Sequence, residues 1–140
     1  MIRYPGKIVA GSVSKELVIN ADFAPTILDY SSVAAPADMQ GRSLRPILEG
    51  KAPGDWRKSV YYHYYEFPQP HHVRPHYGVR GDRYKLIHYY TLKEWELFDL
   101  QKDPHELKSV YDDPAYAQVR EDMNRELQRL RAELKDADGE

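Results

Sequence analysis

The chain has 140 residues, 20 basic against 22 acidic, with 41% hydrophobic and 30% charged residues; this fits one core, or one domain plus part of another, and excludes a disordered or fibrous class. A formal charge of -2 gives no global reason to expect nucleic acid or an anionic membrane as partner, so any anion site is local. The absence of cysteine excludes disulfides, thiolate zinc sites and a cysteine nucleophile within these residues, and no apolar run approaches membrane-spanning length.

The opening MIRYPGKIVAGSVS begins as a short extended piece and is broken at Pro5-Gly6 and Gly11-Ser12. NADFAPTILDYSSV predicts a helix with Asp22 as N-cap, Pro25 in its first turn, and Phe23, Ile27 and Leu28 as its apolar stripe. A short helical piece is expected from Ser43 to Leu48, and the breakers Pro53-Gly54 mark a boundary that divides 1–54 from 55–140.

Beyond that boundary the texture changes. SVYYHYYEF, YGVRGDRYKLIHYY (broken near Gly81-Asp82) and WELFDL are rich in aromatic and β-branched residues, and Thr91 to Glu94 is short enough for a hairpin loop. Such close succession predicts an antiparallel sheet. Asp103-Pro104 and Asp113-Pro114 read as helix starts, with Glu106 completing a capping box after the first. From Pro114 a long helix is expected, with Tyr116, Val119, Met123, Leu127, Leu130 and Leu134 as one stripe, supported by the pairs Glu121–Arg125 and Arg129–Glu133; KDADGE is expected to fray. The fold class is therefore α+β: a small antiparallel sheet of about four strands packed by a long C-terminal helix, preceded by a strand-and-helix piece.

The segment HHVRPHYGVR, His71 to Arg80, concentrates the chemistry. His72 and His76 are four apart, a spacing that gathers two imidazoles only on a helix, and Pro75 disfavours helix at Arg74, so no metal site is predicted. The chain has no G-x-S-x-G elbow and no Gly-rich phosphate loop, so no catalytic residue is assigned. Arg74 offers paired donors to oxyanions, histidine can donate or accept, and Pro70 and Pro75 stiffen the loop. The alternative is a solvated, locally hydrogen-bonded turn.

Taken in order, IRYPGKI, VINADFAPTILDY, MQGRSLRPILEG, YGVRGDRYKLIHYY and ELFDLQKDPHEL resemble the C-terminal third of type I sulfatases, the formylglycine-dependent sulfate ester hydrolases of the alkaline phosphatase superfamily. The resemblance implies that 1–54 is the terminal segment of the large α/β domain and that 55–140 is the small C-terminal subdomain. It further implies a parent enzyme that carries calcium and a formylglycine outside these residues, so the chain alone is expected to be inactive. PHYGVR is similar to the AHYGIR type of segment in glucosamine-6-sulfatase-like members, which implies His76 as a ligand to the sugar or leaving-group oxygen, with His71, His72 and Arg74 as further substrate-binding candidates.

The partners implied are the remainder of the sulfatase polypeptide and a sulfated carbohydrate, with neither nucleic acid nor membrane, in a periplasmic or extracellular setting. An uncovered apolar face around Phe23, Ile27 and Leu28, or self-association through it, is a corollary. Two other readings stay open: a stand-alone module that binds acidic glycans without catalysis, and part of a phosphate or phosphonate ester hydrolase.

Overall fold

The aromatic and β-branched runs form β1 (Ser59–Tyr64), β2 (His76–Gly81), β3 (Tyr84–Tyr89) and β4 (Glu94–Asp99), in a computed structural model that describes every residue except Gln69, Gly139 and Glu140. All neighbouring strands are antiparallel, in the order β1-β2-β3-β4. This is the meander that short connections favour. The register sets Tyr61, Val79, Leu86 and Leu97 in one row across the sheet, and because side chains alternate along a strand, that row belongs to one face.

This face receives α3 (Ala117–Leu134). Val79, Leu86, Leu97 and Leu127 are each 0% exposed and form the core with Tyr77; Tyr116, Val119, Met123 and Leu130 of the expected stripe pack around them. Leu134 is half-buried. Fully burying one large aliphatic side chain contributes roughly 1.5–3 kcal/mol, against about 0.2–0.5 kcal/mol for a surface ion pair on a helix, so packing holds α3 in place. Of the expected pairs, Arg129–Glu133 forms at 2.6 Å, while Arg125 pairs with Asp122 at 3.1 Å instead of Glu121.

The two Asp-Pro devices behave differently. Asp113 Oδ1 accepts from the Ala115 N–H at 2.9 Å and starts a 3-10 turn, Pro114–Tyr116, that runs into α3. Asp103 starts no helix: its Oδ2 accepts from the N–H groups of Leu107 and Lys108 at 2.7 and 2.9 Å, closing a loop. Glu106 lies in the left-handed region at φ 54° and pairs with Lys85 at 2.5 Å, so the capping box does not form. The chain is instead drawn onto β4, where the Val110 N–H meets the Leu97 carbonyl at 2.8 Å.

At the other end of α3, Lys135 takes φ 57° and the N–H of Asp136 reaches the Arg131 carbonyl at 3.0 Å, a Schellman-type stop. Residues 136–138 are tied down by side-chain bonds described below instead of fraying. Gly139 and Glu140, the end of the expected fray, lie outside the described residues.

Residues 58–140 make one compact unit and Met1–Arg57 another. Within the latter, the opening piece forms turns, with the N–H groups of Lys7 and Ile8 on the Tyr4 carbonyl, and the described residues form no strand, since a lone extended segment has no neighbour to satisfy its backbone groups. A 3-10 turn, Asn20–Asp22, leads into α1 (Phe23–Tyr30); α2 (Arg45–Leu48) follows, where the short helix was expected.

Asp22 is not a side-chain N-cap of α1. Its fully buried carboxylate accepts both nitrogens of the Arg57 guanidinium, at 2.5 and 2.7 Å, and the N–H groups of Arg42 and Ile19, both at 2.9 Å. Burial works to raise its pKa, but these donors outweigh it and hold the carboxyl below its usual range. Gly41 permits the close approach: a Cβ there would sit 2.0 Å from the Ala21 carbonyl oxygen. Leu44, Ile47 and Trp56 supply the small apolar core beside it.

Candidate functional site

Since Tyr77 and Val79 lie in the core under α3, the alternation of β2 turns His76 and Gly78 to the other face of the sheet. There His76 pairs in register with Tyr64 and meets three tyrosine rings. Tyr64 stacks on it at 5.5 Å and 24°, Tyr89 lies tilted at 5.1 Å, and Tyr62 presents its edge at 5.8 Å. Gly78 makes room for Tyr62: a Cβ there would meet the Leu86 carbonyl oxygen at 2.5 Å and the Tyr62 hydroxyl at 2.6 Å.

His76 Nδ1 lies 2.8 Å from the Arg74 carbonyl oxygen. A carbonyl only accepts, so Nδ1 carries the proton. Burial raises the pKa of the Tyr62 hydroxyl strongly, and burial followed by Glu96 pushes that of Tyr89 up to about 12, so both phenols are neutral at physiological pH. The result is a half-buried imidazole framed by uncharged aromatic faces, a surface suited to a polar ring with hydroxyl groups more than to a metal or a bare anion.

The structure does not gather the other predicted residues around His76. Arg74 is exposed and its guanidinium lies over the Phe67 ring at 4.4 Å, bracing the loop across its own turn. Only the main chain of Arg74 reaches His76. His71 and His72 are exposed on the loop, with His72 in the left-handed region at φ 48°. The tyrosines that frame the site were not singled out in the sequence. Their signal was the alternation Tyr62, Tyr64 within SVYYHYYEF, readable only once the register sets Tyr64 opposite His76.

A second polar cluster lies on the α3 side. Asp136 Oδ2 accepts from Tyr61 Oη at 2.5 Å and pairs with His63 Nδ1 at 2.7 Å, and the His63 ring stacks on Tyr65 at 3.8 Å. Burial acts to raise the Asp136 pKa, and the bonds from Tyr61 and His63 bring it below the ordinary carboxylate value. Arg131, 5% exposed, donates to Tyr77 Oη at 3.0 Å and to the Asp138 carbonyl at 2.8 Å. With the His63 side chain 4% exposed, the cluster fastens residues 136–138 to the sheet.

Among the described residues no group of three or more His, Asp or Glu side chains gathers as a metal site. The chain also has no cysteine and no Ser-x-Pro-x-Arg segment. The described residues therefore do not fit a calcium ion, and the sequence offers no formylglycine precursor of that type.

The family model described as N-sulphoglucosamine sulphohydrolase, C-terminal, matches residues 1–133. The N-acetylglucosamine-6-O-sulfatase of Bacteroides thetaiotaomicron is 46% identical over 141 residues, covering 99% of this chain and 25% of that protein. The solved structure of BT4656 in complex with its substrate D-glucosamine-2-N,6-O-disulfate matches 98% of this chain and 28% of its own, at 44% identity and a TM-score of 0.93. A phosphonate monoester hydrolase from Silicibacter pomeroyi matches 96% of this chain and 29% of its own, at 29% identity and a TM-score of 0.81. The chain spans about a quarter of the length of the curated relatives it matches. With one family model running through both units and the sheet-and-helix architecture shared throughout, the chain belongs to the sulfatases of the alkaline phosphatase superfamily, as their C-terminal portion.

Proposed function

We propose that this chain is the C-terminal part of an enzyme that hydrolyses sulfate esters on carbohydrates, and that it contributes folding support and one wall of the substrate cleft. The carrying observation is the near-complete structural likeness to a protein solved with a disulfated glucosamine as its substrate. His76, set among Tyr62, Tyr64 and Tyr89, is the residue of this wall that hydrogen-bonds the sugar; His71, His72 and Arg74 lie on the loop before it and line its approach. Calcium and the formylglycine belong to the remainder of the polypeptide. Residues 1–54 complete the large domain and 55–140 form the C-terminal subdomain.

Support for a covering partner comes from Met1–Arg57 itself. Phe23 and Ile27 are 51% and 66% exposed, whereas Leu28 is half-buried. Ile2, Tyr4, Phe23, Ile27 and Tyr30 line a groove of about 560 Å³. An apolar patch of this kind marks an interaction surface, and the remainder of the polypeptide is its occupant.

The likeness to a phosphonate monoester hydrolase favours one second reading, in which the ester is a phosphonate and the nucleophile and metal ligands outside the chain make the choice. The stand-alone glycan module is separated from both by titrating the 140-residue chain with 6-O-sulfated glucosamine oligosaccharides in a calorimeter. A single wall gives no saturable binding. Saturable binding by the chain alone overturns the cleft-wall reading in favour of the module.

A further inference from the structure

The cleft-wall reading leaves open which kind of group His76 recognises, and the frame around the ring supplies an answer that rests on that reading. A neutral imidazole in water prefers its proton on Nε2. Here the 2.8 Å contact from Nδ1 to the Arg74 carbonyl demands the opposite. The ring is held at that contact from both sides: Tyr64 lies nearly parallel to it, at 24°, and Tyr89 closes on it at 5.1 Å. Pro75, buried between Arg74 and His76, restricts the main chain that carries the carbonyl. Among the described residues Nε2 has no hydrogen-bond partner.

We infer that the ring of Tyr64 and the main-chain carbonyl of Arg74 fix His76 as its Nδ1–H tautomer, making Nε2 an acceptor for a ligand hydroxyl or N–H. In that tautomer Nε2 recognises a donor group of the sugar and not an oxygen of the sulfate. Tyr64 is a positioning residue that acts through its ring. Its hydroxyl is buried without a hydrogen-bond partner among the described residues, so removing that oxygen alone leaves the stack intact. Side-chain chemistry at position 74 does not enter, because the Arg74 guanidinium is on Phe67.

The test is long-range proton–nitrogen correlation of the histidine rings in the 15N-labelled 140-residue chain at a pH where the rings are neutral, with His76 assigned by loss of its signals in His76→Gln. The account expects Nε2 to resonate as the unprotonated nitrogen, with Nδ1–H the major form, reversing the Nε2–H preference of a free neutral imidazole. Tyr64→Phe should preserve that pattern, and Tyr64→Val, which keeps the strand preference but removes the ring, should shift it toward Nε2–H.

An Nε2–H pattern in the parent chain overturns the proposal. A Tyr64→Val spectrum identical to the parent removes Tyr64 from it. If Tyr64→Val does not fold, the carbon-bound protons of His76 in the parent chain decide: ring-current displacement by Tyr64 supports the stack, and undisplaced shifts overturn it. No sugar is present in this experiment. Its failure leaves the cleft-wall reading standing, and failure of the cleft-wall reading leaves the tautomer standing.

Discussion

At the residue scale, the clearest work of charge in this molecule is local neutralisation. Asp99 ends β4, 2% exposed, and receives Arg83 through Nε and Nη2 at 2.9 and 2.8 Å, with Tyr116 Oη at 3.2 Å. The Arg83 bonds, opposed by burial, hold its carboxyl at about 2 against an ordinary 3.8. A depressed carboxylate stabilises the fold fully above its unfolded pKa and loses that contribution as pH falls through the folded one, so the loss falls between about pH 4 and pH 2. Trp95, stacked on His88 in the same sheet, reports on it. In a Trp56→Phe background, the urea midpoint read by Trp95 fluorescence should fall across that window, and Asp99→Asn should flatten the fall.

Much of this scale was hidden in the sequence. Asp22 fits the composition of an N-cap, and sequence spacing does not disclose that Arg57 lies 35 positions away with a matching fork of donors. The histidine-rich loop was visible as a cluster, yet its members part company: the β2 ladder and the Arg74 carbonyl capture His76, and nothing in composition distinguishes it from His71 or His72.

At the element scale, local patterning was legible wherever one face is dry. Enrichment in aromatic and β-branched residues located the strands, and the three-and-four spacing from Tyr116 to Leu130 located α3, because both carry apolar residues onto the same core. Asp103-Pro104 misled because the helix it announces has no apolar stripe to bury, while Val110 gains a bond to β4.

The glycines of β2 give a sharp test at this level. At Gly78 an added Cβ meets backbone, the Leu86 oxygen at 2.5 Å, which no rotamer change relieves; at Gly81 the nearest atom is the Lys58 oxygen at an ordinary 3.5 Å. Gly78→Ala should destabilise the sheet by about 1–3 kcal/mol and displace Tyr62, whereas Gly81→Ala should stay within about 0.5 kcal/mol of the parent. Urea unfolding of both variants checks the contrast.

At the scale of the whole molecule, Met1–Arg57 exposes apolar side chains that residues 1–57 do not cover. A Phe23→Ser, Ile27→Ser double variant should change the stability of the 140-residue chain by no more than about 0.5 kcal/mol. In a full-length sulfatase carrying the same pair it should cost about 3–6 kcal/mol, because two large apolar side chains are then withdrawn from a covered surface. Equal effects in both would remove the covering partner.

The measurement that reaches the central claim is kcat/KM of the full-length enzyme and its His76→Ala variant, each on a 6-O-sulfated glucosamine and on a small aryl sulfate. If His76 is part of the cleft wall and holds the sugar, the glucosamine value falls about tenfold, the worth of one hydrogen bond of about 1.4 kcal/mol, while the aryl sulfate value falls less than about twofold. An equal fall on both substrates, or no fall on either, contradicts it.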